Sequence, residues 1–176
     1  MRKISVNLVG ALVILVLALG YIYFLKIEDA NVVADLTTMR QNDPVQYLED
    51  VRHRKGFDAY LAQFSSTYGY GDFRQDVPAF LLGRWALFSQ PQRVGYQYIA
   101  EECYNYLAIE DGVLKAKGKF QASYPARYRI SGTTVVADIG DGRTIPISLV
   151  SYGMDLHHIV VTLPGQTKPL YGYLCK

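Results

Sequence analysis

Hydrophobic and polar positions divide the chain into stretches with different periods. Residues 8–25, LVGALVILVLALGYIYFL, contain no charged side chain. At about 1.5 Å per residue such a helix spans roughly 27 Å, close to the hydrocarbon thickness of a bilayer. Residues 26–42 turn polar and acidic, and are expected to extend the helix by a turn or two or to form a stalk. Asp43 and Pro44 then mark a helix start, with Asp as the N-cap and Pro at the first helical position. Val45, Leu48 and Val51 make its apolar stripe, and Lys55-Gly56 stops it. Phe57, Tyr60, Leu61 and Phe64 recur at helical spacing and predict a second amphipathic helix. The SSTYGYGD stretch after it reads as loop.

From Phe80 onward the period falls to two. FLLGRWALF, QYIAEECYNYLAIE, VLKAKGKF, ARYRI, TTVVADI, RTIPISLV, LHHIVVTL and PLYGYLC are the predicted strands. Asp111-Gly112 and Gly140-Asp141-Gly142 are hairpin signals between them. Nothing helical separates the strands, so parallel wiring through crossover helices is not expected. The pattern predicts an α+β protein: an N-terminal transmembrane helix, a short helical segment, then a mainly antiparallel eight-strand meander, as a barrel or a two-layer sandwich. The expected divisions are 1–7, 8–25, 26–79 and 80–176. Alternation places Ile145, Ile147 and Leu149 inward, together with Ala126, Tyr128 and Ile130, and with Leu114, Ala116, Gly118 and Phe120. Pro146 lacks a ladder donor and is expected at an edge or a bulge.

Charge gives the apolar run a direction. Arg2 and Lys3 precede it, and together they account for the formal net charge of +2. By the positive-inside rule the short N-terminus stays in the cytoplasm and the domain crosses the membrane. The expectation is a single-pass protein of a bacterial-type inner membrane with its domain in the periplasm. The alternative is a cleaved signal ending near Ala18-Leu19-Gly20, although the apolar run continues past that point. No cysteine follows the run closely enough for a lipoprotein-type anchor. The domain beyond it is charge-neutral, which argues against a nucleic-acid binder. Cys103 and Cys175 are the only cysteines, and in an oxidising compartment they are expected to form a disulfide tying the last strand to an interior strand.

Candidate chemistry is sparse. His157 and His158 are neighbours on a predicted strand, so alternation sends them to opposite faces and denies them a shared metal ion. Asp155 shares the face of His157, and His53 lies in the helical region. No nucleophile elbow, phosphate loop or spaced carboxylate pair stands out, so the expectation is no enzyme, no metal and no cofactor. Two surface features remain. Lys115, Lys117 and Lys119 share one strand face, and Arg127 and Arg129 share a face of the strand expected next to it. If the two strands pair, five positive charges line one outer surface. Tyr98, Tyr104 and Tyr106 form an aromatic face opposite Ile99, Cys103 and Leu107, which the helical segment is expected to cover. These eight residues are the candidate partner-binding set.

Gly83-Arg84-Trp85, on the first strand after a helical lead-in, resembles the G-x-W signature of lipocalins. The resemblance covers 80–176 and implies an eight-stranded barrel with a cup for an apolar ligand. A cysteine in the last strand bridging back to the barrel is also lipocalin-like. The expected function is non-enzymatic binding of a protein partner at the membrane, as an accessory subunit of an envelope complex or as an immunity or inhibitor protein. The alternatives are a carrier of an apolar or lipid ligand and an envelope hydrolase.

Overall fold

A computed structural model of the protein describes residues 2–95 and 98–176. Met1, and Gln97 of the second expected strand, lie outside the described residues. The described residues form three helices and nine strands. The chain divides into two units, Met1–Tyr47 and Leu48–Lys176.

The first unit is built on α1 (Arg2–Asn42). Its stretch Gly10–Glu28 has a mean hydropathy of 2.2 and is long and apolar enough to cross a membrane. Leu12, Ile14, Leu17, Ile22 and Phe24 all stand exposed on it. The helix continues unbroken to Asn42, well past the turn or two expected, because Ala30, Ala34, Leu36 and Met39 all favour helix. It ends where Pro44 disfavours helical geometry at the residue before it. Asp43 accepts a hydrogen bond from the Gln46 backbone N–H at 2.9 Å and caps the next helix, α2 (Pro44–Lys55).

In the second unit Leu48 and Val51 of α2 are buried. Val45, assigned to the same stripe, is exposed. Gly56 (φ 83°) separates α2 from α3 (Phe57–Tyr68), whose Phe57, Tyr60, Leu61 and Phe64 are buried as expected. Helix α3 runs through Ser65, Ser66 and Thr67, so the loop begins only at Gly69, which adopts the left-handed conformation. Phe80 meets Phe57, Tyr60 and Phe64 edge-on, and α3 packs against β5 (Arg127–Ser131) and β7 (Thr144–Tyr152).

The remaining strands are β1 (Gly83–Phe88), β2 (Tyr106–Glu110), β3 (Val113–Lys117), β4 (Ala122–Pro125), β6 (Thr134–Asp138), β8 (Asp155–Val161) and β9 (Leu170–Leu174). They form one antiparallel sheet in the order β4-β3-β2-β1-β9-β8-β7-β6-β5, nearly closed into a barrel. Strands paired in the sheet are consecutive in sequence except β1 and β9, where the meander returns on itself; the consecutive strands β4 and β5 do not pair. The ninth strand, beyond the eight expected, is β4. The chain leaves β3 along β4, passes Ala126, and continues as β5 paired to β6. Thus β5 is the strand expected at ARYRI, and β4, in a stretch where no strand was expected, is the addition; the two stand at the two edges of the sheet.

The seam between these two edge strands is filled. Arg74 and Tyr128 exchange backbone hydrogen bonds of 2.9 and 2.7 Å, and the Ile130 N–H donates to the Tyr70 carbonyl at 2.8 Å. Gly112 donates to Gln75, and Ala126 donates to Gly112. Tyr128 points inward, with its Oη 2.9 Å from both the Glu110 and Val113 carbonyls. Burial pushes its phenol well above the usual tyrosine range, so it stays a hydrogen-bond donor.

The inward set assigned by alternation is buried: Ile145, Ile147, Leu149, Ala126, Tyr128, Ile130, Leu114 and Ala116. The set stops short of Gly118 and Phe120, because β3 ends at Lys117. Gly118 takes φ +90°, and a Cβ there would lie 2.2 Å from Asn105 Oδ1 and 2.7 Å from the Tyr104 carbonyl. Gly118→Ala should therefore cost about 1–3 kcal/mol through strain and overlap. Gly132→Ala, also at positive φ but with open space around it, should cost less. Denaturant midpoints of the two variants check this. Pro146 sits in β7, an interior strand, against the edge expected. It is tolerated because the β7–β8 ladder begins one residue later, at Ile147↔Val161. The bulge lies elsewhere in that pair, at Val150 and Ser151.

Candidate functional site

The outer face of β1 and β9 is the most elaborated surface of the second unit. Ala86, Ala100 and Tyr173 are buried there, with Phe88, Val94, Tyr98, Cys103, Tyr171 and Cys175 packed around them. The helices do not cover this face, against expectation. Val94 and its neighbours do, because α3 spends its apolar stripe on Phe80 and on the strands beneath it. The Gln92 backbone N–H donates to Tyr173 Oη at 2.9 Å, and the Gly95 carbonyl is 3.2 Å from His157 Nε2.

Residues 98–105, expected as strand, are irregular. Their one ladder contact is a parallel bridge of Ala100 with Cys175. Ala100 donates to the Leu174 carbonyl at 2.8 Å and accepts from the Lys176 N–H at 3.2 Å. The Cys103–Cys175 disulfide, with 6.2 Å between Cα atoms, fastens this segment to β9. Cys103 therefore lies before β2 and not inside a strand.

Between this segment and β1 lies an open groove of about 780 Å3, lined by Leu87, Phe88, Tyr98, Ile99, Glu101, Glu102, Tyr104 and Asn105 among others. That volume is within the usual range of ligand and peptide clefts. Tyr104 is 77 % exposed and Ile99 49 %. Tyr98 and Ile99 also line a neighbouring cleft of about 440 Å3 with Phe80, Trp85, Leu156, Asp155, His157 and Arg52. There Arg52 Nη2 pairs with Asp155 Oδ1, while its Nε donates to the Met154 carbonyl at 2.7 Å.

The histidines depart from alternation. The β7–β8 register runs from Val150↔His158 directly to Ser151↔Leu156, so His157 is the extra residue of a β-bulge. A bulge re-aims side chains, and here it brings the two rings together, with 2.8 Å between their Nδ1 atoms. Both residues are buried, at 9 % and 8 % exposure. Burial, and then the nearby His157, hold His158 below the usual imidazole range. His53 is exposed on α2.

The expected basic stripe is divided. Strand β3 pairs with β2 and β4, and β5 pairs with β6, so the two basic rows are not neighbours. Lys115 is ion-paired with Glu110 at 3.0 Å and Lys117 is exposed. Lys119 lies beyond the strand, where its N–H donates to Asn105 Oδ1. Arg127 binds Asp138, and this bond, before the Gly140 N–H, holds the Asp138 carboxyl below the usual carboxylate range. Arg127 and Arg129 both lie over the Phe73 ring, at 5.8 and 4.9 Å. The three tyrosines divide as well. Tyr98 and Tyr104 meet in the groove, while Tyr106 lies on β2 under the Arg84 guanidinium. Sequence reasoning missed the groove wall at Glu101 and Glu102 and the contact between the histidines. The adjacent His-His in an otherwise apolar strand was the only signal for the second.

Comparisons of the chain with known protein families, with curated proteins and with solved structures found no match.

Proposed function

We propose that the protein is a membrane-tethered recognition domain, held outside the cytoplasm, that binds a protein partner and performs no chemistry on it. The observation that carries this reading is the groove between β1 and residues 98–105. It presents an exposed tyrosine and an exposed isoleucine, Tyr104 and Ile99, on a wall fastened by the disulfide. Rigid aromatic side chains on a fixed backbone lose little entropy on binding, and such groups dominate interface energetics. The apolar stretch Gly10–Glu28 supports a tether, and the disulfide supports an oxidising compartment such as a periplasm. Lys117, exposed on the far side of Tyr106, is a rim charge in this reading; Lys115, Arg127 and Arg129 are already engaged within the domain.

A carrier of an apolar ligand in the barrel is the weaker reading. Trp85, Tyr128, Ile145, Ile147 and Ile159 fill the interior where such a ligand would sit.

Photocrosslinking in intact cells tests the proposal. A photoreactive phenylalanine at Tyr104 or Ile99 should give one discrete protein adduct. The same probe at Ser148, on the outer face of β7, should give none. Adducts of equal intensity at all three positions, or none at Tyr104 and Ile99, would refute the groove as the binding face.

A further inference from the structure

The bulged histidine pair has a hydrogen-bond logic that can be worked out atom by atom. A contact of 2.8 Å between two Nδ1 atoms needs one proton between them: one ring donates and the other accepts. The Gly95 carbonyl can only accept, so Nε2 of His157 carries a proton. When the pair is neutral, Nδ1 of His157 is therefore the acceptor and His158 donates from its own Nδ1. One added proton leaves both bonds intact, since an imidazolium at 157 donates to Gly95 and to a re-tautomerised His158 together. Two added protons do not. Both Nδ1 atoms then carry hydrogen, no acceptor remains between them, and two cations face each other in a buried site.

Among the described residues the surroundings offer no compensation. The rings next to the pair are Tyr152 against His157, Tyr171 against His158, and Tyr173 against both, with Tyr98 behind Tyr173. None of these brings a formal charge. Asp155 and Arg52 share the cleft with His157 but are paired with each other. The pair also holds part of the covering chain. Gly95 rests on His157, and Gln92 rests on Tyr173, which stacks on His158. Phe88 and Tyr98, which line the groove, both pack edge-on against that same Tyr173.

We propose that His157 and His158 form an acid-sensitive latch that keeps residues 89–95 closed on the outer face beside the groove and releases them when the pair takes up its second proton. Residues 98–103 stay in place, because the Ala100 ladder and the disulfide hold them independently. The direction of the pH dependence follows from linkage. His158 is held below its unfolded value, so the closed form is fully favoured above about pH 6.5 and loses that advantage as pH falls. The consequence for recognition rests on the groove being the binding face; the latch itself does not.

Hydrogen exchange on the full-length protein in detergent micelles tests the latch, with rates corrected for their intrinsic pH dependence. Between about pH 7.5 and about pH 5 the Gln92 amide should lose protection severalfold, by more than about threefold, as the pair takes up its second proton. The Ala100 amide should remain protected. In His158→Asn the side-chain amide can donate or accept but takes no second proton, so Gln92 should change by less than about twofold. His157→Gln, which retains an N–H for Gly95, should behave the same way and serves if the first variant does not fold. Equal protection of Gln92 at both pH values in the wild type would overturn the latch. So would an unaltered acid response in either variant, or parallel loss at Ala100, which marks global unfolding. No partner enters this measurement, so its failure leaves the crosslinking result standing, and the reverse also holds.

Discussion

Trp85→Ala should lower the unfolding free energy by about 3–5 kcal/mol, the usual cost of removing a large buried aromatic side chain. Trp85 stands in β1 with 2 % exposure, opposite Leu107 of β2 and Leu174 of β9. It thus sits where the first and last strands of the meander join. Its Nε1–H donates to the Leu81 carbonyl at 3.0 Å, fixing the approach of the chain into β1. The neighbouring packing has no slack to refill the space. A Cβ on Gly172 would come within 2.6 Å of Ile159 Cγ1 and 3.3 Å of Trp85 Cβ. Removing the indole leaves a cavity bounded by strands already in close contact, together with an unpaired carbonyl at Leu81. Trp85→Phe loses the hydrogen bond and part of the volume, and should cost about half as much. Because this is the only tryptophan, the comparison must use far-ultraviolet circular dichroism in denaturant, not fluorescence. A loss below about 1 kcal/mol for Trp85→Ala would show that the β1–β9 closure is not held through this side chain.

Removing the disulfide should have the second large effect. Cys103 and Cys175 are 72 residues apart, and closing a loop of that size stabilises the folded state by about 4 kcal/mol in the chain-entropy model. The bond also acts locally. Residues 98–105 hold no regular strand, and apart from the disulfide they are tied to β9 by the Ala100 bridge and by Tyr98 packing on Tyr173. Cys175→Ser should therefore both lower the denaturation midpoint and loosen the groove wall, abolishing the adduct from Tyr104. Cys103→Ser/Cys175→Ser and reduced wild type should match Cys175→Ser in stability. Thiol alkylation of the protein in intact cells, before any reductant, should label neither cysteine. Full labelling there would place the domain in a reducing compartment and remove the basis for holding it outside the cytoplasm.

How much was legible depended on how local the determining interaction is. The helix starting at Pro44 and the buried stripe of α3 follow from residues a few positions apart, and periodicity reports them directly. The hairpin at Asp111-Gly112 has the same origin: Gly112 adopts φ +70° and the register closes at Glu110↔Val113. The errors share another cause. Sequence order puts ARYRI directly after VLKAKGKF and so predicts Lys115 and Arg127 on neighbouring strands, but the chain inserts β4 and carries β5 to the other edge. Tyr98 and Tyr104 alternate like strand residues, yet the segment finds no ladder partner beyond Ala100. Its place is set by a covalent bond to Cys175 and by packing on β9.

From its order of residues alone, the chain determined that an apolar helix precedes an antiparallel meander, and which side of most strands faces the core. Those outcomes depend on the 3.6- and two-residue repeats of helix and strand and on turn residues that tolerate positive φ. Only the folded structure decided that β1 would close on β9, that β4 and β5 would stand at the two edges, and that His157 and His158 would face each other. A bulge depends on the count of residues in two strands being unequal across their pairing, and no single strand carries that information. The groove is of the same kind, since its two walls meet through contacts between residues far apart in the chain.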